Sequence, residues 1–209
     1  ARRTPMHSHG GPFSPAMPQL NLDTREITLK IVYYGPALSG KTTNLQHLDV
    51  LCATASRGEM VTLDTQDDRT LYFDFLPIEA MSIKGFKTKF QLYTVPGQVI
   101  YNTTRQLVLR GVDGLVFVAD SQYSKMEENV ESFANLEDNL KALKMNLADI
   151  PYVLQYNKRD LPDVAPVDYM EFLLNNREVL VPSFGACASK CDGVFETLNA
   201  ITRLLLQKL

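Results

Sequence analysis

Gly35-Pro36-Ala37-Leu38-Ser39-Gly40-Lys41-Thr42 follows directly on the apolar run Ile27 to Tyr34, and this junction decides the fold. The octapeptide fits the phosphate-binding pattern G-x-x-x-x-G-K-[ST] placed after a strand. Backbone N–H groups of such a loop, here Gly35 and Ala37 through Thr43, converge on phosphate oxygens. The helix expected to start near Lys41 adds the positive end of its dipole at the same place. Lys41 then reaches the β- and γ-phosphates, and the Thr42 hydroxyl suits Mg²⁺, a hard cation that takes the rest of its octahedron from phosphates and water. Gly35 and Gly40 let the chain approach the anion without a side chain in the way.

Asn157-Lys158-Arg159-Asp160, after the apolar run Pro151 to Tyr156, has the N-K-x-D spacing of a guanine-reading loop. A buried carboxylate at Asp160 can accept from both N1–H and the 2-amino group of guanine, and adenine offers no such donor pair. Leaving that carboxylate unpaired with the wrong base supplies discrimination of about 10⁴. Lys158 would lay its stem along the purine, and Asn157 would tie this loop to the phosphate loop. A solvated charged turn is the bland alternative, and the phosphate loop upstream weighs against it.

With 209 residues and a net charge of −3, the chain suits one α/β domain and no polyanion-binding role, so nucleic acid is not an expected partner. No apolar stretch nears the roughly 20 residues that span a bilayer, so a soluble, cytoplasmic protein without membrane insertion is expected. The three cysteines, Cys52, Cys187 and Cys191, read as reduced thiols, and the last four residues carry no prenylation box. Residues 1–20, with Pro5, Gly10, Gly11, Pro12, Pro15 and Pro18, read as a disordered tail in which His7 and His9 make no expected metal site. Residues 21–209 read as one nucleotide-binding domain, a three-layer sandwich with a mostly parallel central sheet. Strands are expected at Ile27 to Tyr34, Leu71 to Leu76, Phe86 to Val95, Leu115 to Ala119, Tyr152 to Tyr156 and Val179 to Phe184. Helices are expected to start near Lys41, Asn102, Lys125, Val167 and Val194. The apolar spacing of Phe133, Leu136, Leu140 and Leu143 suits core packing better than a partner helix.

Thr94-Val95-Pro96-Gly97-Gln98 ends a strand and resembles the D-x-x-G-Q segment of Ras-like GTPases, with threonine in place of the aspartate. In that likeness Gly97 offers its N–H to the γ-phosphate and Gln98 orients the attacking water. Together with Tyr33-Tyr34-Gly35-Pro36, Asp68-Arg69-Thr70, Phe73-Asp74-Phe75-Leu76-Pro77 and Asn157-Lys158-Arg159-Asp160, it makes the chain from about Asp23 to Leu209 closely similar to the MglA family of bacterial Ras-like GTPases. The resemblance implies a GTP/GDP and Mg²⁺-dependent polarity and motility switch, monomeric when free and recruited to a cell pole. It also implies a homodimeric MglB-type activator and effectors such as RomR-type proteins. Residue by residue, it makes Arg69 an arginine finger supplied in cis, Thr70 the first-switch threonine near Mg²⁺, and Gln98 the water-positioning residue. Ala186-Cys187-Ala188-Ser189 resembles the last guanine-contact loop, with the Ala188 N–H aimed at the guanine O6 and Ser189 beside it.

Two departures qualify that picture. Thr94 has no carboxylate to hold a water on Mg²⁺, and Asp74 on the neighbouring strand is the candidate substitute, or else a capping or solvent-facing residue. Ala37 stands where such loops usually carry glycine, and its methyl intrudes where Gln98 and Arg69 must approach. Arg69 alone, without the resemblance, would read as a loop arginine paired with Asp67 or Asp68. Two other functions stay open here. One is a GTP-loaded scaffold with negligible turnover, and the other is an ATP-dependent small-molecule kinase using the same loop.

Overall fold

The computed structural model describes residues 19–51, 61–64, 70–83, 85–177 and 179–209. In chain order the strands are β1 (Gln19–Asn21), β2 (Glu26–Tyr34), β3 (Val61–Asp64), β4 (Thr70–Ile83), β5 (Phe86–Thr94), β6 (Gly114–Asp120), β7 (Tyr152–Asn157) and β8 (Ser183–Gly185). The helices are α1 (Lys41–Leu51), α2 (Asn102–Leu109), α3 (Met126–Ala142), α4 (Val167–Leu174) and α5 (Val194–Gln207). The sheet runs β3-β4-β5-β2-β6-β7-β8, and β1 pairs separately with β2. From β5 to β8 every neighbouring pair is parallel, whereas β3, β4 and β1 each join antiparallel.

Continuous apolar runs make these strands because helices cover both faces, so each alternating set of side chains finds a core. Ile27, Leu29, Ile31 and Tyr33 of β2, with Val116 and Val118 of β6, pack against Leu45 and Leu48 of α1 and Leu198, Ile201 and Leu205 of α5. Val32 and Tyr34, with Leu115, Phe117 and Ala119, pack against Leu109 of α2, Phe133, Leu136 and Leu140 of α3, and Met170 of α4. The Phe133 stripe of α3 is therefore core. Fully buried polar groups between α1, β7 and α5 satisfy one another, Asn44 with Gln155 and Gln155 with Thr197.

Four differences from the sequence expectation have physical reasons. Gln19 and Leu20, assigned to the tail, pair with Thr28 and Ile27, so the folded unit begins inside that tail. Strand β4 runs on to Ile83 through Pro77, carried by its antiparallel pairing with β5, where Pro77 stands opposite Gln91. The four-residue β3 is too short to stand out in sequence. Strand β8 starts at Ser183 instead of Val179, because the Asn175 side chain bonds both the N–H and the C=O of Val181 and Pro182 follows without a donor.

Candidate functional site

β2 lies between β5 and β6, so the sheet reverses its winding there, and ligands of such sheets sit beyond the carboxyl ends of the strands. Four segments meet at that end: the phosphate loop after β2, Val95 to Gln98 after β5, Asn157 to Asp160 at the end of β7, and Ala186 to Ser189 after β8. Gly35 (φ 145°) and Gly40 (φ 101°) have backbone angles that side chains rarely adopt. A Cβ on Gly35 would lie 2.1 Å from the Val118 carbonyl oxygen, and one on Gly40 would lie 2.1 Å from Asn157 Nδ2. Leu38, between them, has a left-handed φ of 60° and projects into solvent. Ser39 is buried and Thr43 half-buried.

Lys41 is buried, and its Nζ donates to the carbonyls of Gly35 (3.0 Å) and Pro36 (2.6 Å). Burial, helped by the nearby Arg105 guanidinium and opposed by Asp74, lowers its ammonium to about 7. Thr42 Oγ1 donates to Asp74 Oδ2 at 2.6 Å. Thr94 Oγ1 donates to the same oxygen at 2.8 Å and accepts from the Asp74 N–H at 2.8 Å. Asp74 is fully buried, and its second oxygen, Oδ1, has no hydrogen-bond partner among the described residues. Asp74 is thus neither a cap nor a solvent-facing residue, and the pair Thr94 and Asp74 puts a carboxylate beside the phosphate-loop threonine. Among the described residues no three His, Cys, Asp or Glu side chains cluster as a self-sufficient metal site. One threonine and one carboxylate suit Mg²⁺, which takes its other ligands from phosphate and water.

Asn157 joins three segments: its Nδ2 donates to the Ser39 carbonyl at 2.7 Å, and its Oδ1 accepts the Ala188 N–H at 2.8 Å. Lys158, at φ 66°, reaches the nearly buried Asp120 with Nζ to Oδ2 at 2.6 Å. Asp160 is not buried as expected. It lies exposed at the rim, because the loop after β7 ends at the open pole, and it pairs with Lys190 at 3.1 Å. A Cys187 hydrogen bond and Lys190 lower its pKa, which keeps the carboxylate ionised. Ser189, also exposed, faces the Cys187 thiol at 3.4 Å. Gly97 lies on the phosphate loop: a Cβ there would sit 2.2 Å from Ala37 Cα. Gln98 is half-buried, and its carbonyl accepts the Tyr101 N–H. Thr70 opens β4 opposite Asp64. Arg69 and its neighbours Asp67 and Asp68 lie outside the described residues.

Three site residues escaped the sequence reading. Asp120 carried a signal, a carboxylate at the end of an otherwise apolar strand. Arg105 sits at i, i+3 and i+4 spacing with Val108 and Leu109, which marks it as inward-facing. Lys190 belongs at the pocket mouth against Asp160, where the sequence offered no sign of it.

A phosphate loop fixed by asparagine to a second loop that carries an N-K-x-D carboxylate defines a nucleotide-binding switch domain of the guanine-reading kind. The Ras family model matches residues 60–207. The chain is 53% identical over 190 residues to the mutual gliding-motility protein MglA of Myxococcus xanthus, covering 91% of this chain and 96% of that protein. It is 26% identical to an uncharacterized protein of Methanocaldococcus jannaschii, over 83% of this chain and 94% of that one. With the dog Ras-related protein Rab-13 it shares 27% over 66% of each chain. The chain belongs to the MglA group of the Ras family of small GTPases. This membership displaces the kinase alternative. No helix among the described residues is long and apolar enough to cross a membrane.

Proposed function

We propose that the protein is a GTP-hydrolysing switch of bacterial motility and polarity, cytoplasmic and recruited to a cell pole. A homodimeric MglB-type activator stimulates its slow turnover, and RomR-type effectors read its GTP form. The observation that carries the reading is Asn157, which holds the phosphate loop and the Ala188 loop in one bonded unit. The Gly35 to Thr43 amides and Lys41 grip the phosphates. Lys158, Asp160, the Ala188 N–H and Ser189 surround the base, and Asp160 reads the two guanine donors. Thr42, Thr70 and Asp74 would hold Mg²⁺, which when bound would neutralise the charge that develops on the phosphates. That Asp74 Oδ1 has no partner among the described residues supports that assignment. Gly97 offers its N–H to the γ-phosphate, Gln98 orients the attacking water, and Arg69 spreads charge over the equatorial oxygens.

The test identifies the nucleotide released on denaturation, then follows single-turnover phosphate release from GTP with and without the activator. Guanine nucleotide and activator-dependent release are expected, and adenine nucleotide would overturn the reading. One position bears on the scaffold alternative: Gly97 meets the phosphate loop at the Ala37 backbone, and the Ala37 methyl, which a glycine would lack, stands on that residue. No phosphate release at any activator concentration would select it, whereas faster release from Ala37→Gly would assign the slow step to that methyl.

Two further outcomes follow from the geometry. Asp74→Asn should release bound GDP about tenfold to 100-fold faster in Mg²⁺, the usual scale for losing a supporting metal contact. In stopped-flow measurements its rate in Mg²⁺ should approach the rate in EDTA, and unchanged retention would remove Asp74 from the metal site. The second concerns protons. Because Lys41 titrates at about 7 in the free protein, it is largely neutral at pH 8, and incoming phosphate favours its charged form. Binding of GDP at pH 8 should therefore take up protons, fading toward pH 6, where Lys41 is already charged. Calorimetric enthalpies in buffers of different ionisation enthalpy measure this, and Lys41→Met should remove the Lys41 share.

A further inference from the structure

Arg105 is the largest fully buried side chain among the described residues, and its hydrogen-bond partners are all uncharged. Burying a guanidinium among neutral groups is costly, so its bonds must do something an apolar residue could not. Nε donates to the Pro96 carbonyl at 2.8 Å and Nη2 to the Gly97 carbonyl. Nη1 donates to Asn135 Oδ1 of α3, and the guanidinium stacks 5.3 Å from the ring centre of Tyr34, next in chain to Gly35. Behind it, Tyr34, Asn135, Asn139 and Asn102 bond one another and hold the fork in place.

We infer that Arg105 is the positioning residue for the Gly97 to Gln98 segment, clamping two consecutive carbonyls so that their amides face the phosphate loop. The peptide bonds are trans, so each carbonyl and the N–H of the next residue point in opposite directions. With the Pro96 and Gly97 carbonyls turned to Arg105, the Gly97 and Gln98 N–H groups are turned away from it. Gly97 itself lies against Ala37 and Pro36 of the phosphate loop. Only a planar fork serves two adjacent carbonyls and Asn135 at once, because a lysine brings a single nitrogen. The clamp also links nucleotide state to α2 and α3, which carry its other anchors. This inference rests on the γ-phosphate reading given above for Gly97.

The test compares the parent, Arg105→Lys and Asn135→Ala for binding of GDP and of GTPγS with Mg²⁺, and for single-turnover GTP hydrolysis. Arg105→Lys should keep GDP affinity within about twofold and lower the GTPγS-to-GDP affinity ratio about tenfold, since small misplacements at a reacting centre cost up to about 100-fold. Hydrolysis should fall in parallel. In a Gln98→Ala background the same substitution should add less than about twofold to the hydrolysis loss, as expected of residues acting through one another. Asn135→Ala, which leaves the arginine in place, should move the ratio the same way by about threefold and keeps the idea testable if Arg105→Lys does not fold. Equal losses for both nucleotides, or an unchanged ratio in both variants, would reduce Arg105 to packing and overturn the inference. Failure of the parent to bind guanine nucleotides would instead sink the nucleotide reading beneath it.

Discussion

Asp160→Asn is expected to weaken GDP binding by about 10³ to 10⁴ and to abolish the preference for GDP over ADP, because the residue is the only proposed reader of the two guanine donors. A carboxylate has acceptors only, which matches N1–H and the 2-amino group together. The amide replaces one acceptor with donors and meets the 2-amino group with a like partner. The substitution is nearly isosteric at an exposed rim position, so the fold should survive and the thermal midpoint without nucleotide should stay close to the parent's. Xanthine carries a carbonyl where guanine has the 2-amino group, so xanthosine diphosphate should bind the variant better than the parent. Lys190 also matters in sign: Lys190→Ala removes the cation competing for Asp160, and GDP affinity should change little, because the pair is exposed. Competition titrations with GDP, ADP and xanthosine diphosphate measure all three outcomes. Retained GDP preference in Asp160→Asn would mean that the loop after β7 does not read the base.

Wherever a local rule ties residue type to geometry, the fold was legible in sequence. Gly35 and Gly40 sit at backbone angles and approaches that exclude a Cβ. The apolar runs of β2, β6 and β7 declare strands buried on both faces. The helix starts at Lys41, Asn102, Val167 and Val194 follow from periodicity. What stayed hidden depends on contacts between distant residues. Asn175 ends the would-be start of β8 from another element. Pairing with β5 carries β4 through Pro77. The exchange of a carboxylate between neighbouring strands, Thr94 for the usual acid with Asp74 beside it, was readable as a candidate, but the shared oxygen that joins Thr42, Thr94 and Asp74 is a tertiary fact. The spacing of Arg105 with Val108 and Leu109 marks it as inward-facing, but only the carbonyls of Pro96 and Gly97 disclose its task.

Gly97→Ala should separate the two nucleotide states more sharply than any other single change. The added Cβ would stand 2.2 Å from Ala37 Cα and 2.4 Å from Ala37 N, whereas ordinary contact begins near 3.4 Å. The atoms in the way are backbone atoms of the phosphate loop, so no side-chain rotation relieves the clash. One of the two segments must retreat by more than an ångström. Asn157 and the Lys41 bonds to Gly35 and Pro36 fix the phosphate loop, whereas the Gly97 segment is held through the Arg105 fork, so the Gly97 segment is expected to move and to strain that clamp. On the proposed reading GDP contacts the loop and the base pocket without Gly97, so its affinity should stay within about threefold of the parent's, as for a site left intact. GTP hydrolysis, which the proposed function routes through Gly97 and Gln98, should fall about 100-fold or more. The Ala37→Gly change should not rescue it, because the clash is with the Ala37 main chain and not its methyl. Rescue in the double variant would show that the methyl, and not the backbone, sets the approach of the switch segment. Equal loss of GDP and GTP binding would show that the phosphate loop itself gives way.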